Sequence, residues 1–242
     1  MLYAVLSDIH GNLFALESVV RDMQSFDISS VILLGDLIDY GMQSNEAVRF
    51  LRDSFDYDIS CNIWGNHERA IMLADFERFS SPRGEQCAKH TAQLLADDVK
   101  HFLDTRMIHE GKLEFTLDGK KCLAVHASLD DVFWKAVMPE NVRGDYKDFD
   151  IVFSGHSHYP HTFAKFYETC DPQRRNKHAA LFVNPGSVGQ PRNHDPQAQY
   201  AIFDSQTQSV MMRRVKYPVD KAMSLYDGSV DDFYRARLEY GV

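Results

Sequence analysis

Basic residues are scarce in this chain of 242 residues. Twenty-six lysines and arginines face 35 aspartates and glutamates, a formal net charge of −9. A wide nucleic-acid footprint needs a positive surface, so nucleic acid is not an expected partner. Long apolar runs are missing too. None approaches the roughly 18 residues that cross a bilayer, which excludes a helical membrane protein. The first basic residue is Arg21, so the N-terminus lacks the charged start of a secretory leader, and a cytoplasmic location is expected. Cysteine is sparse: Cys61, Cys87, Cys122 and Cys170 stand far apart with no C-x-x-C. That spacing excludes a thiolate zinc cage and a disulfide scaffold and fits a reducing compartment. No internal repeat or low-complexity stretch interrupts the chain. With 44% hydrophobic and 25% charged residues, it has the composition of a globular α/β protein.

Periodicity predicts alternating strands and helices. Leu2–Leu6 reads as a buried strand and residues 8–12 as a polar loop, with Asn12 as a helix cap. Leu13, Leu16, Val20 and Met23 then recur at helical spacing. Residues 31–34 form a second buried strand closed by Gly35, giving a βαβ unit with parallel strands. Residues 47–51 read as helix and 59–64 as strand. Residues 68–106 read as a mostly helical insertion broken at Pro82 and Gly84, and 114–125 as a hairpin turning at Asp118-Gly119. Ile151–Ser154 and residues 181–183, 200–203 and 210–215 are further strands. The tail beyond Pro218 reads as helix, and the whole, residues 1–242, as one domain.

Five of these elements end in a small polar cluster: Ser7-Asp8-Ile9-His10-Gly11, Gly35-Asp36-Leu37-Ile38-Asp39, Gly65-Asn66-His67-Glu68, Val125-His126-Ala127 and Gly155-His156-Ser157-His158. Ligands of α/β sheets collect at the carboxyl ends of strands, so separate strands can gather Asp8, His10, Asp36, Asn66, His126, His156 and His158. Imidazole and carboxylate suit Mn, Fe, Zn, Ni or Co. Residues two apart in extended chain face the same way, which pairs Asp8 with His10 and His156 with His158. Seven ligands exceed the needs of one ion, so two divalent metal ions sharing a carboxylate are expected. Taken singly, D-x-H, G-D and H-x-H read more often as ordinary loops and G-N-H-E is suggestive; the expectation rests on five clusters in succession at strand ends.

These residues resemble the calcineurin-like metallophosphoesterase superfamily, whose pattern is D-x-H, G-D, G-N-H-D/E, a single H, then G-H-x-H. The resemblance runs from Asp8 to His158. It extends through Asn184-Pro185-Gly186-Ser187-Val188-Gly189-Gln190-Pro191-Arg192, similar to a loop of the prokaryotic branch related to diadenosine tetraphosphatases. It implies an α/β four-layer sandwich of two mixed β-sheets flanked by helices, with the metal site at the strand C-terminal ends. It also implies that Asp8, His10 and His158 hold one ion, that Asn66, His126 and His156 hold the other, and that Asp36 bridges them. His67 would face the substrate unligated as general acid, with Asp39 orienting it.

The implied activity is hydrolysis of a small phosphate ester, a diester first, by a hydroxide bridging the two ions. Their charge outweighs that of Asp8 and Asp36, so the local field is positive in an acidic protein. The alternatives are a dinucleoside polyphosphate hydrolase, a protein phosphatase, or a non-catalytic scaffold of the same fold. Tyr40 stands where the protein phosphatases carry a phosphate-binding arginine, against the protein phosphatase. His67 is retained, against the scaffold. Ala127 replaces a common glycine with little expected effect. In residues 184–192, Arg192 or backbone N–H groups are candidates for a substrate phosphate, the other reading being a tight turn. Residues 68–106 are the expected specificity element, with Phe76, Phe79, Leu94 and Leu95 as core. His161, His178 and His194 read as surface residues.

Overall fold

The computed structural model describes residues 1–242, the side chain of Arg174 aside. Ten strands form two five-stranded mixed sheets. The first has the order β10-β9-β1-β2-β3. In it β1 (Leu2–Leu6), β2 (Ile28–Leu33) and β3 (Ile59–Asn62) run parallel, while β9 (Ala198–Asp204) and β10 (Ser209–Val215) are added antiparallel. The second has the order β4-β5-β6-β8-β7. Its parallel centre is β5 (Lys120–Val125), β6 (Ile151–Ser154) and β8 (Lys177–Asn184). Antiparallel β4 (Lys112–Leu117) and β7 (His161–Glu168) close its edges.

The sheets pack face to face. Tyr3, Val5, Ile32 and Leu34 of one meet Ala124, Ile151, Phe153 and Val183 of the other in a buried cluster. Strands covered on both faces must be apolar nearly throughout, which is why β1, β2 and β6 read as continuous runs rather than alternations. The first sheet's outer face packs on α1 (Leu13–Met23), α2 (Ser44–Asp53) and α5 (Asp97–Thr105) through Leu16, Val19, Val48 and Phe102. The second sheet's outer face is covered by the irregular chain at 127–150, where Val137, Tyr146 and Phe149 pack on Leu123, Val125 and Phe182.

Between β3 and β4 lie α3 (Asn66–Leu73), α4 (Pro82–Leu94) and α5. Pro82 and Gly84 do not break this segment as expected. Pro82 is the first residue of α4, where its missing N–H costs nothing, and Gly84 N–H bonds the Ser81 cap at 3.3 Å. The break falls just before them. The tail forms α6 (Val219–Met223) and α7 (Asp232–Tyr240). Strand β7 was not expected from the sequence. Its half-buried face carries Lys165 and its exposed face Phe166, 68% exposed, so the polar and apolar alternation that marks a strand is broken. No helix among the described residues is long and apolar enough to cross a membrane.

Candidate metal centre

The six parallel strands all deliver their carboxyl ends to one rim. Asp8 and His10 follow β1, Asp36 follows β2, and Asn66 and His67 follow β3. His126 follows β5, His156 and His158 follow β6, and the loop at 184–192 follows β8. The backbone there is contorted. Asp8, His10, Asp36, Asp39, Tyr40, His156 and His158 all have positive φ, between 47° and 72°. Left-handed backbone disfavours residues other than glycine, and its concentration at one rim marks a site that the fold holds against local preference. Gly65 leaves room for the same arrangement: a Cβ there would lie 2.0 Å from Asp36 Oδ1.

The seven expected ligands converge. Atoms of Asp8, His10 and His158 lie within 4.8 Å of one another, as do those of Asp36, His126 and His156. Asn66 Oδ1 joins the second group, 3.0 Å from His126 Nε2 and 2.9 Å from His156 Nδ1. Asp36 Oδ2 stands between the groups, 3.3 Å from His126 Nε2 and 3.7 Å from His10 Nε2.

Backbone hydrogen bonds hold three of the imidazoles from behind. Nδ1–H of His10, His126 and His158 donates to the carbonyls of Ile38, Leu34 and Gln190 at 3.1, 2.7 and 2.6 Å. That turns each Nε2 inward, with a lone pair at His10 and His158; at His126 the Nε2 also carries a proton, facing Asn66 Oδ1 and Asp36. Each carboxylate spends one oxygen on the protein. Asp8 Oδ2 accepts from Ser7 Oγ and the His156 N–H, and Asp36 Oδ1 from the His67 N–H. The other oxygens, Asp8 Oδ1 and Asp36 Oδ2, are buried without a hydrogen-bond partner. Orphaned carboxylate oxygens facing imidazole lone pairs are costly unless a cation lies between them, so the donor set fits divalent metal ions.

The electrostatics are those of a crowded buried site. Burial, then repulsion from Asp36, raises the Asp8 carboxyl to about 7. Burial also acts to raise Asp36, but facing His126 and His67 outweigh it and hold it well below the usual range. Burial pushes His10 and His158 well down and His156 to about 3, keeping them neutral. His126 is lowered by burial but raised more by Asp36, to about 9. Protons and cations compete for these same atoms.

His67 stands apart. Its Nδ1–H donates to Asp39 Oδ2 at 2.7 Å, while Asp39 Oδ1 accepts from Thr91 Oγ1 at 2.7 Å and Asp39 N–H bonds Ser44 Oγ at 3.0 Å. Burial lowers the His67 pKa, but Asp36 and Asp39 outweigh it and raise it. Tyr40 and Phe79 pack edge-on against its ring at 4.4 and 5.1 Å between centroids. Its ring opens on a cavity of about 220 Å³ also lined by Asp36, Asn66, His156, His158, Phe79 and Arg192.

Several expectations change. Phe79 packs on the core and also lines the cavity, and Leu94, expected in the core, is 58% exposed. The backbone N–H groups of Gly186, Val188, Gly189 and Gln190 are spent within the fold: those of Val188 and Gly189 bond Ser7 O and Asp8 O, and those of Gly186 and Gln190 bond Asn184 Oδ1 and Ser187 Oγ. The loop at 184–192 therefore braces Asp8 and His158, and Arg192 is its contribution to the cavity. His178 is buried, with Nε2 against Phe149 O at 2.7 Å. Sequence reasoning assigned no work to Glu68. Its buried carboxylate accepts the N–H groups of Asp36, Leu37 and Gly65 at 2.8, 2.7 and 2.8 Å and so fixes the Asp36 turn.

Residues 1–208 match the calcineurin-like phosphoesterase superfamily domain. An uncharacterized protein of Methanocaldococcus jannaschii is 30% identical over 226 residues, covering 91% of this chain and 90% of its own. A crystal structure of a metallophosphoesterase from Sphaerobacter thermophilus superposes with a TM-score of 0.73 at 25% identity, over 100% of this chain and 99% of that one. A hypothetical protein from Pyrococcus horikoshii gives a TM-score of 0.75 at 18% identity, over 100% and 98%. The chain belongs to the calcineurin-like phosphoesterase superfamily, and its rim of aspartate and histidine is the place where that fold can hold metal.

Proposed function

We propose that the protein is a dinuclear metal-dependent phosphodiesterase that hydrolyses a small phosphate ester. Asp8, His10 and His158 hold one divalent ion, Asn66, His126 and His156 hold the other, and Asp36 bridges them. Mn, Fe, Zn, Ni and Co all suit this donor set. When bound, the ions supply Lewis acidity toward phosphoryl oxygens and an activated water at neutral pH.

The chain's own residues do the rest. His67 carries a proton at Nε2 for the leaving oxygen, and its Nδ1–H bond to Asp39 holds the ring in position and stabilises the imidazolium. Thr91 and Ser44 hold Asp39 in turn. Tyr40 and Phe79 shield the His67 ring from water. Arg192, on the cavity wall, binds phosphoryl oxygens. A reducing cytoplasm suits the four cysteines, all free and three of them buried.

The observation that carries this reading is the shared position of Asp36 Oδ2 between two imidazole groups, beside a histidine braced from behind by a carboxylate. The test is hydrolysis of bis-p-nitrophenyl phosphate and p-nitrophenyl phosphate by Mn²⁺-loaded protein, beside an EDTA-treated sample. Diester turnover that EDTA abolishes is the expected result. Turnover that survives EDTA overturns the metal dependence. No turnover of either compound, with metal bound, moves the weight to a scaffold.

A further inference from the structure

The cavity that His67 opens on has a wall of aromatic rings, which a phosphate does not need. Besides the metal-centre residues and Phe79, it is lined by Arg78, Ser80 and Trp134. Phe79 and Trp134 meet edge-on at 5.3 Å and 87°, and Phe79 meets the His67 ring at 5.1 Å and 67°. Both rings pack on the hydrophobic core and are only partly buried by it, which leaves surface for the cavity. Phosphoryl oxygens are bound by N–H donors and cations, not by ring surface. Rings beside such a site recognise the organic part of a ligand.

The fold builds this wall from two segments far apart in the chain. Phe79 lies between α3 and α4, and Trp134 lies between β5 and β6. One ion pair ties them together. Arg78 Nη2 bonds Asp131 Oδ2 at 2.6 Å, and Asp131 Oδ1 accepts the backbone N–H of Trp134 at 3.2 Å. The Arg78 guanidinium also lies 5.4 Å from the Trp134 ring centroid. Arg78 is therefore spent on the wall. The two tryptophans differ. Trp64 Nε1 donates to Leu103 O at 2.7 Å, whereas Trp134 Nε1 is buried with no hydrogen-bond partner among the described residues. The fold gains nothing from that N–H, so what Trp134 brings to the wall is its ring.

We propose that Phe79 and Trp134 form a subsite for the leaving group of the substrate, and that this group carries a flat, unsaturated ring. The inference rests on the phosphoesterase reading, in which His67 gives its Nε2 proton to the leaving oxygen. As the bond from phosphorus to that oxygen breaks, the oxygen keeps the electron pair and takes the proton, and water supplies the oxygen of the new bond to phosphorus. The group on the leaving oxygen must then lie beside His67, and the rings that continue from His67 along the cavity wall are Phe79 and Trp134. Arg192 stands on the loop whose Gln190 O holds His158, so the same cavity offers a cation to the phosphoryl oxygens and rings to the leaving group. Trp134 is thereby a specificity-determining residue. A flat ring gains stacked or edge-on contact that a saturated group of equal size does not.

The test is calorimetric binding of benzylphosphonate and cyclohexylmethylphosphonate to Zn²⁺-loaded protein. In both, a methylene stands in for the ester oxygen, so nothing is hydrolysed, and the two differ in the flatness of the ring. A merely apolar wall would favour the cyclohexyl compound, which has the larger apolar surface. Wild type is expected to bind benzylphosphonate roughly 3- to 10-fold more tightly. W134L is expected to abolish the preference, and W134F, which keeps a flat ring without the N–H, to retain most of it. Thermal midpoints check that each variant is folded, and F79L carries the comparison if W134L does not fold. Equal affinities in wild type, or a preference for the cyclohexyl compound, overturn the proposal. A full preference in folded W134L overturns the assignment to Trp134. Binding of neither compound by protein that elemental analysis shows to hold zinc is a failure of the phosphoesterase reading, and the subsite falls with it.

Discussion

The Nε2 atoms of His10 and His158 stand 3.3 Å apart, and neither has a proton to give the other. Both rings donate from Nδ1 to backbone carbonyls, of Ile38 and Gln190. Two lone pairs are thus pressed together in a buried site, beside the orphaned Oδ1 of Asp8 at 3.2 Å from His158 Nε2. A cation relieves this arrangement, and because it binds only the folded chain it must raise stability. Mn²⁺ at about 100 times its Kd is expected to add about 2.7 kcal/mol, or roughly 5–10 °C in Tm. EDTA reverses the rise. His158→Ala halves the bound metal, and Asp36→Asn weakens both sites. A Tm indifferent to Mn²⁺, with no metal found by elemental analysis, refutes the assignment.

The role proposed for His67 is to give a proton and not to hold metal. Asp39 occupies its Nδ1 at 2.7 Å, and Asp39 is itself buried. His67→Ala is expected to lose roughly 10²–10⁴-fold in kcat while retaining both ions. The loss should be largest for esters with poor leaving groups, whose oxygen needs the proton most. Asp39→Asn, which keeps the shape but not the charge behind the imidazolium, should fall between the alanine variant and wild type. Rates for His67→Ala equal to wild type on an alkyl diester rule out the general-acid role.

The convergence of the candidate ligands was legible because two local signals coincide: an apolar run that must end, and a residue of metal-ligand type where it ends. Asp8, His10, Asp36, Asn66, His126, His156 and His158 all carry both, and the parallel pairing of β1, β2, β3, β5 and β6 does the rest. Glu68 was visible as part of a motif, but its work was not. Two of the N–H groups that it accepts, those of Asp36 and Leu37, belong to a turn some thirty residues earlier, which only the pairing of β2 with β3 brings alongside. His178 was misread for a related reason: polar neighbours in sequence say nothing of the Phe149 carbonyl it meets across the fold.

Away from the rim, Asp22 joins α1 to the antiparallel edge of the first sheet. It accepts from Arg213 Nε and Nη2 at 3.0 and 2.8 Å and from the Tyr200 hydroxyl at 2.6 Å. These bonds, Arg213 first, outweigh partial burial and hold its carboxyl below the usual range. A depressed folded-state pKa stabilises above the unfolded value of roughly 3.9, and the contribution fades as pH falls through the folded value. Asp22→Asn is therefore expected to cost about 1–2 kcal/mol at pH 7, or roughly 3–6 °C in Tm. The gap between variant and wild type should narrow as acid protonates Asp22. A gap that stays constant from pH 7 to pH 2 shows that the contact acts through shape and not through charge.

Glu68 offers the sharpest separation of architecture from chemistry, because it touches neither the cavity nor any expected ligand side chain. Its two oxygens collect N–H groups from the Asp36 turn and from Gly65, at the first turn of α3. Burial, then the charge of Asp36, raises its pKa, while those N–H bonds act to lower it. Glu68→Gln would turn an amide NH₂ toward backbone donors that have no other partner. The expected cost is roughly 2–4 kcal/mol. The turn that aims Asp36 Oδ2 between the two imidazole groups would be released at the same time. Both ions should then bind more weakly even in variant protein that remains folded at the assay temperature, and excess Mn²⁺ should recover part of the rate. Glu68→Asp keeps the charge but falls one methylene short, so it should recover some stability and little metal affinity. A folded Glu68→Gln protein with wild-type Mn²⁺ affinity would show that Asp36 is held by its own backbone and the Gly65 contact, without the buried carboxylate beneath it.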